Sequence, residues 1–212
     1  YAGYIAWRGT LDESDAPADL VDFFDDSFTF SEARSGGHAL CYFIPGGEAR
    51  TQPGERRLNW VWYVHVDEGP ELDEILTDAA GERRTGSVPQ GRVAPAVAAR
   101  MREAAVRELH PRFAKLIAAT PEPFVQVILD LAVPRMLFGR VCLVGDAAFI
   151  VRPHTAGATA KAADDARALA LAAQAWRADF DAELVRWEAD RLAGGQAMSH
   201  YGLALGRRVA WA

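Results

Sequence analysis

The chain has 212 residues, half of them hydrophobic and a quarter charged, with 23 Lys and Arg against 29 Asp and Glu and a net charge of −6. That balance describes a globular chain with ample material for a core and excludes disorder and fibrous repeats. The acidic sum disfavours nucleic acid and anionic membrane, which need a basic footprint, and no apolar run approaches the roughly 18–20 residues of a membrane-crossing helix. Tyr1–Trp7 already reads as a buried strand, with no charged leader before it, so the chain is expected to be a piece of something longer. A cytoplasmic location is expected. Cys41 and Cys142 each sit in an apolar run and are expected to be buried free thiols. No Cys/His spacing suggests a metal site.

Tyr1–Arg8 reads as an aromatic strand ended by Gly9 and Thr10. Asp12–Asp26 carries seven acidic residues and no basic one, with Leu20, Val21, Phe23 and Phe24 interleaved. It is expected to form a short amphipathic helix whose charges are solvated. Phe28–Phe30 is a short strand candidate, and His38–Ile44 is a second, stopped by Pro45-Gly46-Gly47. Arg57–Val66 is the strongest strand. Leu58, Trp60, Trp62, Val64 and Val66 share its core face. Arg57, Asn59, Val61, Tyr63 and His65 share the other. Asn59, Tyr63 and His65 either line a ligand pocket or cover the outer side of a sheet.

Glu71–Ala79 predicts a short helix, and Arg83–Pro95 a mobile loop. Ala96–Leu109 predicts a helix with Met101, Ala105 and Leu109 on one face. Pro111–Ala119 predicts another, with His110 as a structural residue at its boundary. Phe124–Leu129 returns to strand character. From Arg140 the pattern changes. Val141–Val144 is a continuous apolar run, typical of a strand covered on both faces. A loop over Gly145–Ala156 leads to an alanine-rich helix over Gly157–Trp176. A last helical region from Asp179 carries Phe180, Leu184, Trp187 and Leu192 on one stripe.

The stretch from Gly139 to Ala170 is the one that suggests chemistry. A strand delivers Gly145 and Asp146 at its carboxyl end, the edge where open α/β sheets bind ligands. Gly145 permits a sharp turn, and Asp146 offers a carboxylate to polyol hydroxyls. Pro153 directs the loop. Gly157, Ala158, Thr159 and Ala160 open a helix with small residues, whose N-terminus favours an anion or an electron-rich ring. His154 is either a loop residue at the ligand or a helix-start residue bonded to backbone. Lys161 reads as a solvated helix residue. The serines occupy no nucleophile-elbow pattern.

This stretch, GDAAFIVRPHTAGATAKAADDA, resembles the second flavin-binding motif of the FAD-dependent aromatic-ring monooxygenases of the para-hydroxybenzoate hydroxylase fold. RPHTAGATAKAADDA and the opening YAGYIAWRG look most like the 2,6-dihydroxypyridine 3-hydroxylase branch. Phe149 stands where the wider pattern has His, and Ala156, Gly157 and Ala158 replace its Gly-Gln-Gly. No G-x-G-x-x-G is present for ADP binding. The chain therefore looks like a fragment without that N-terminal part.

The resemblance implies an α+β fold. An antiparallel or mixed sheet packed with helices forms a substrate-binding domain over 1–135. A strand–loop–helix part of an FAD-binding α/β domain, with a helical tail, follows over 136–212. It implies Gly145, Asp146, Pro153, His154, Gly157, Ala158, Thr159 and Ala160 as FAD contacts. Tyr63 and His65 are candidates to help deprotonate a ring hydroxyl. The implied parent reaction inserts one atom of O2 into a small aromatic or N-heteroaromatic ring through a flavin hydroperoxide, with NAD(P)H as reductant. No metal is implied, and a homodimer through the C-terminal helices is an open expectation. The alternative is a catalytically silent fragment that binds an aromatic ligand, or serves structurally, without flavin.

Overall fold

The computed structural model describes residues 1–174 and 176–209. The chain divides into two compact units, one spanning Gly3–Ile128 and one combining Tyr1–Ala2 with Leu129–Arg208. The first contains β1 (Tyr4–Asp12), α1 (Ala18–Phe24), β2 (Thr29–Glu32), β3 (His38–Ile44), β4 (Arg57–His65), α2 (Pro70–Ile75), β5 (Ser87–Val88), α3 (Pro95–Glu108), α4 (Pro111–Ala119) and β6 (Phe124–Val127). The strands form one antiparallel sheet in the order β2-β3-β4-β1-β6-β5. This is the α+β architecture expected from the sequence.

Alternation along the strands decides which face is covered. In the β1–β4 register Ile5 opposes Val64, Trp7 opposes Trp62, and Leu11 opposes Leu58. With Ala39, Cys41, Val125 and Val127 they form the core face, which joins Leu20 and Phe24 of α1, Val97, Met101 and Ala105 of α3 and Phe113, Leu116 and Ile117 of α4. Burying each such Leu, Ile or Phe contributes about 1.5–3 kcal/mol, so this layer is the main stabilising term of the unit. Cys41 is a free thiol sealed in the layer, and burial pushes its pKa up. Cys142, in the second unit, is free but only half-buried.

Gly9 does not end the first strand; β1 runs through it to Asp12. A Cβ at Gly9 would stand 2.7 Å from the ring of Trp60, its partner in register. The glycine lets the indole cross β1, and the indole Nε1 then donates to Thr120 Oγ1 at 2.8 Å. Thr120 in turn donates to the Leu116 carbonyl at the end of α4. A strand and a helix are thus joined by a buried hydrogen-bond chain.

The acidic segment is not simply a solvated face. Glu13 is only 6% exposed. Its carboxylate accepts from Arg56 Nη2 at 2.7 Å and Nε at 3.0 Å, and Arg56 also donates to Asp25. Arg57 donates to Asp12, and Arg112 and Lys115 both pair with Asp19. Basic residues remote in sequence supply the charges the segment lacks. Likewise, 83–95 is anchored. Buried Asp78 accepts from the Ala80 and Glu82 backbone N–H groups and from Arg84. Asp78 bridges to Val93, and Ser87–Val88 pairs with β6.

The second unit contains β7 (Leu131–Ala132), β8 (Leu137–Phe138), β9 (Val141–Cys142), β10 (Phe149–Ile150), α5 (Ala158–Gln174) and α6 (Trp176–Val209). Ala175, inside the helix predicted over Gly157–Trp176, lies outside the described residues. β8 pairs with β9, and β7 with β10. Val141 is 63% exposed and Leu143 and Val144 are half-buried, so the described residues do not cover this strand on both faces. Its only sheet partner among them is the two-residue β8. Met136, Ala148, Phe149, Val151, Ala172 and Trp187 form the core of this unit. Glu188 of α6 accepts the Met136 and Leu137 N–H groups, both at 2.7 Å, and so fastens the helix to β8. The chain is extended at Asp179, and the helix resumes there with Asp179 Oδ1 accepting the Ala182 N–H. Among the described residues no helix is long and apolar enough to cross a membrane.

Two outcomes are expected. Thr120→Val keeps the shape but leaves the buried indole N–H without its acceptor, and is expected to destabilise by about 1–3 kcal/mol in denaturant unfolding; an unchanged midpoint would contradict the role given to this bond. The second concerns acid. Hydrogen bonding by Arg56 lowers the pKa of Glu13 from 4.5, and that by Arg84 lowers Asp78 from 3.8. A lowered folded pKa contributes stability that is complete above the unfolded value and is lost as pH falls through the folded one. The thermal midpoint is therefore expected to drop below pH 4.5, and more gently in Glu13→Gln. Parallel curves for the two proteins would refute the assignment.

Candidate functional site

Two surfaces carry the residues singled out from the sequence, one in each unit. In the first unit it is the sheet face opposite the core, where Tyr63 is the centre of an aromatic group. Its ring lies 5.0 Å from His38 and 6.1 Å from Tyr4, edge-on to the latter. Phe30 approaches His38 at 5.8 Å, and Phe28 stacks on Tyr42 at 4.8 Å. Gly37 brings His38 beside Tyr63. Its φ is +83°, and a Cβ there would stand 2.5 Å from the Tyr63 carbonyl oxygen. At the next strand Arg8 donates to Gln126 Oε1 at 3.1 Å and lies over the Phe124 ring.

Burial sets the protonation of this group. It pushes the Tyr63 phenol up to about 12, against a smaller opposing effect of the Arg8 charge. It holds His38 below its ordinary value, against the pull of Glu32. Near neutral pH Tyr63 keeps its proton and His38 is a neutral imidazole. His65 does not join them. It lies exposed at the end of β4, with Nε2 3.0 Å from Asp67. Asn59 is buried at the other end of the strand, opposite Thr10 and Tyr42. His38 was missed in the sequence, although it shares the alternation of Tyr42 and directly follows a Gly-Gly pair.

In the second unit the stretch after β9 turns sharply. Gly145 has φ +58°, and a Cβ there would stand 3.2 Å from the Ala162 Cβ of α5. Its N–H donates to Asp165 Oδ2 at 3.1 Å. One residue on, Asp146 is exposed. β10 follows. Then Arg152 pairs with Asp130, and Pro153–Thr155 makes a second turn that holds His154 half-buried. Thr155 Oγ1 donates to the Arg152 carbonyl and accepts the Gly157 N–H. Ala156 is left-handed, with φ +49°.

These bonds set up the start of α5. Gly157 lies against Met198 of α6, where a Cβ would come within 3.2 Å of the sulfur. The first helical bond closes from the Lys161 N–H to the Gly157 carbonyl. The N–H groups ahead of it, at Ala158, Thr159 and Ala160, have no partner one helical turn back, and Thr159 and Ala160 are exposed. An exposed carboxylate and a helix N-terminus of small residues thus belong to one unit. The first suits a polyol chain, and the second an electron-rich or anionic ring. This donor set fits FAD. Among the described residues there is no group of three or more His, Cys, Asp or Glu that would hold a metal ion.

The stretch around Gly145 also contains a pair that the sequence left unread. Lys161 and Asp165 are 7% and 1% exposed, with Nζ and Oδ2 2.6 Å apart. Lys161 is not solvated. The i, i+4 spacing was visible, whereas the burial was not.

Gly145→Ala is expected to destabilise the second unit by about 1–3 kcal/mol, from a left-handed conformation and the contact with Ala162. The reading is hydrogen exchange of the α5 amides, and protection equal to wild type would show that the turn tolerates a side chain.

Known proteins resemble this chain in sequence and fold. Residues 1–130 match the family model described as FAD binding domain-like. That match ends before Gly145, but the relatives span both units. The chain is 41% identical over 197 residues to 2,6-dihydroxypyridine 3-monooxygenase of Paenarthrobacter nicotinovorans, covering 93% of this chain and 48% of the relative. It superposes on the structure of 2,6-dihydroxypyridine-3-hydroxylase from Arthrobacter nicotinovorans with a TM-score of 0.90 and 38% identity, over 99% of this chain and 52% of that one. Klebsiella pneumoniae HpxO, solved with FAD and uric acid, shares the fold at 22% identity and a TM-score of 0.68, over 100% of this chain and 46% of that one. The chain thus spans about half the length of the relatives it matches. With the family model covering well over half of its residues, the chain belongs to the FAD-binding domain-like family.

Proposed function

We propose that the protein carrying this chain is an FAD-dependent monooxygenase that inserts one oxygen atom of O2 into a small, electron-rich aromatic or N-heteroaromatic ring, with NAD(P)H as reductant. The observation that carries the reading is the exposed Asp146 carboxylate at the Gly145 turn, in the same unit as the open start of α5 and in a chain 41% identical to a dihydroxypyridine monooxygenase. A dihydroxypyridine is the substrate class to try first. FAD, when bound, supplies the redox chemistry and the activation of O2.

This chain's residues bind and orient. In this reading residues 136–212 contribute to the FAD domain. Asp146 accepts hydrogen bonds from the ribityl hydroxyls. The N–H groups at Ala158, Thr159 and Ala160 face the electron-rich edge of the ring system, and Gly157 allows close approach. Pro153 and His154 form the loop beside them. Residues 1–135 contribute the substrate domain, whose outer sheet face receives the aromatic ring. There Tyr63, protonated at neutral pH, donates to a ring oxygen, and neutral His38 beside it is able to take a proton. His65, exposed and beside Asp67, is the weaker candidate.

The full-length protein is expected to carry FAD and, given a dihydroxypyridine, to consume NAD(P)H and place one atom of isotopically labelled O2 in the product. NAD(P)H oxidation without label in any product would reject hydroxylation. Asp146→Ala is expected to weaken FAD binding, by about 1.5–3 kcal/mol for each hydrogen bond lost to the carboxylate. An unchanged FAD dissociation constant would remove Asp146 from the site.

A further inference from the structure

Asp165 is a buried carboxylate whose Oδ2 faces two donors. The Gly145 N–H lies at 3.1 Å and the Lys161 ammonium at 2.6 Å. Lys161 leaves the first turn of α5 but does not reach solvent. Its Nζ lies 4.8 Å from the centroid of the Phe149 ring, a cation–π distance. Phe149 is itself fixed: a Cβ at Gly195 of α6 would stand 2.4 Å from its ring. Asp165 is held from a further side, because the Trp187 Nε1 donates to its carbonyl at 3.2 Å. A carboxylate removed from water in this way needs a counter-charge. Lys161 is the cation that contacts it, and Phe149 and α6 define where that cation sits.

We propose that Lys161 is a positioning residue, which acts through Asp165 to hold the Gly145–Asp146 turn against α5. Its ammonium keeps the charge and the orientation of the Asp165 carboxylate, and that carboxylate receives the Gly145 N–H. On its N–H side Gly145 is anchored by this bond, while its carbonyl accepts the Ala148 N–H and its left-handed conformation places it close to Ala162. Asp146 is the next residue, so a loosened turn spreads its carboxylate over several directions. The consequence for cofactor affinity rests on the flavin reading above; the hold on the turn does not.

The test uses the full-length protein with Lys161→Met and the double variant Lys161→Met/Asp165→Asn. Met keeps the length of the side chain and removes the charge. Asn removes the buried carboxylate charge and still presents an oxygen to the Gly145 N–H. In Lys161→Met the Gly145 amide is expected to exchange with solvent faster, and FAD is expected to bind roughly tenfold more weakly. The double variant is expected to recover both, to within about threefold of wild type. The recovery separates this role from direct contact with the cofactor, since direct contact predicts no rescue. It also covers a single variant that fails to fold, because the double variant contains no unpaired buried charge.

Wild-type Gly145 exchange and FAD affinity in folded Lys161→Met would overturn the proposal. So would a double variant as impaired as the single one. A fall in thermal midpoint with neither change would mark Lys161 as packing alone and reject the positioning role. If the wild-type protein binds no FAD, the flavin reading fails, and the Gly145 exchange comparison decides the positioning role by itself.

Discussion

The first unit depends on one crossing. The Trp60 indole passes over β1 where Gly9 has no side chain, and reaches Thr120 at the end of α4. A slip of one residue in the β1–β4 register would put Arg8 or Thr10 under the ring and send every side chain of the strand to the opposite face. The hydrogen bond therefore reports the register as well as the contact. The same register places Tyr63 on the outer face, opposite Ala6, with space for His38 beside it. What makes the core unique also determines which groups are presented on the other side.

The second unit works on a related constraint at smaller scale. Its strands are two residues long and cannot be stiff by themselves. Rigidity comes from carboxylates that collect backbone N–H groups. Glu188 takes two, from Met136 and from Leu137 at the start of β8, and Asp165 takes one from the turn after β9. Both acceptors lie on long helices, Glu188 on the part of α6 that follows the break at Asp179. A short, irregular, exposed stretch is thereby given a defined shape by the helices behind it. Ligand sites commonly combine loops with a rigid scaffold in this manner.

Much of this was legible in the sequence, and the exceptions have a common cause. The period-2 pattern of residues 57–66 identified the core face of β4, and the helix expected over Pro111–Ala119 is the one observed. The sharp turn at Gly145 was readable because a glycine at a strand end has a local meaning. Gly9 was misread as a strand end because its reason is Trp60, 51 positions later in sequence and adjacent in space. Glu13 looked solvated inside an acidic run because Arg56 lies 43 positions away. Residues 83–95 looked mobile because their composition is polar, while the anchor, Asp78, precedes them. Lys161 and Asp165 showed the spacing of a helical ion pair, but spacing says nothing of the aromatic ring and second helix that take the pair out of water. In each case the local pattern was real, and a distant partner gave it its sense.

Phe149 and Gly195 share a single volume, since the ring occupies the place that any side chain on that turn of α6 would need. Size at one position is therefore conditional on size at the other. In related sequences the two should vary as a pair, a large ring at 149 going with glycine at 195 and a smaller group at 149 making room for a larger one across from it. Changing either alone would move α6, and with it Trp187 and Glu188, which hold Asp165 and β8. Sequence drift at an unremarkable glycine on the tail helix is thus coupled to the shape of a turn 50 residues earlier.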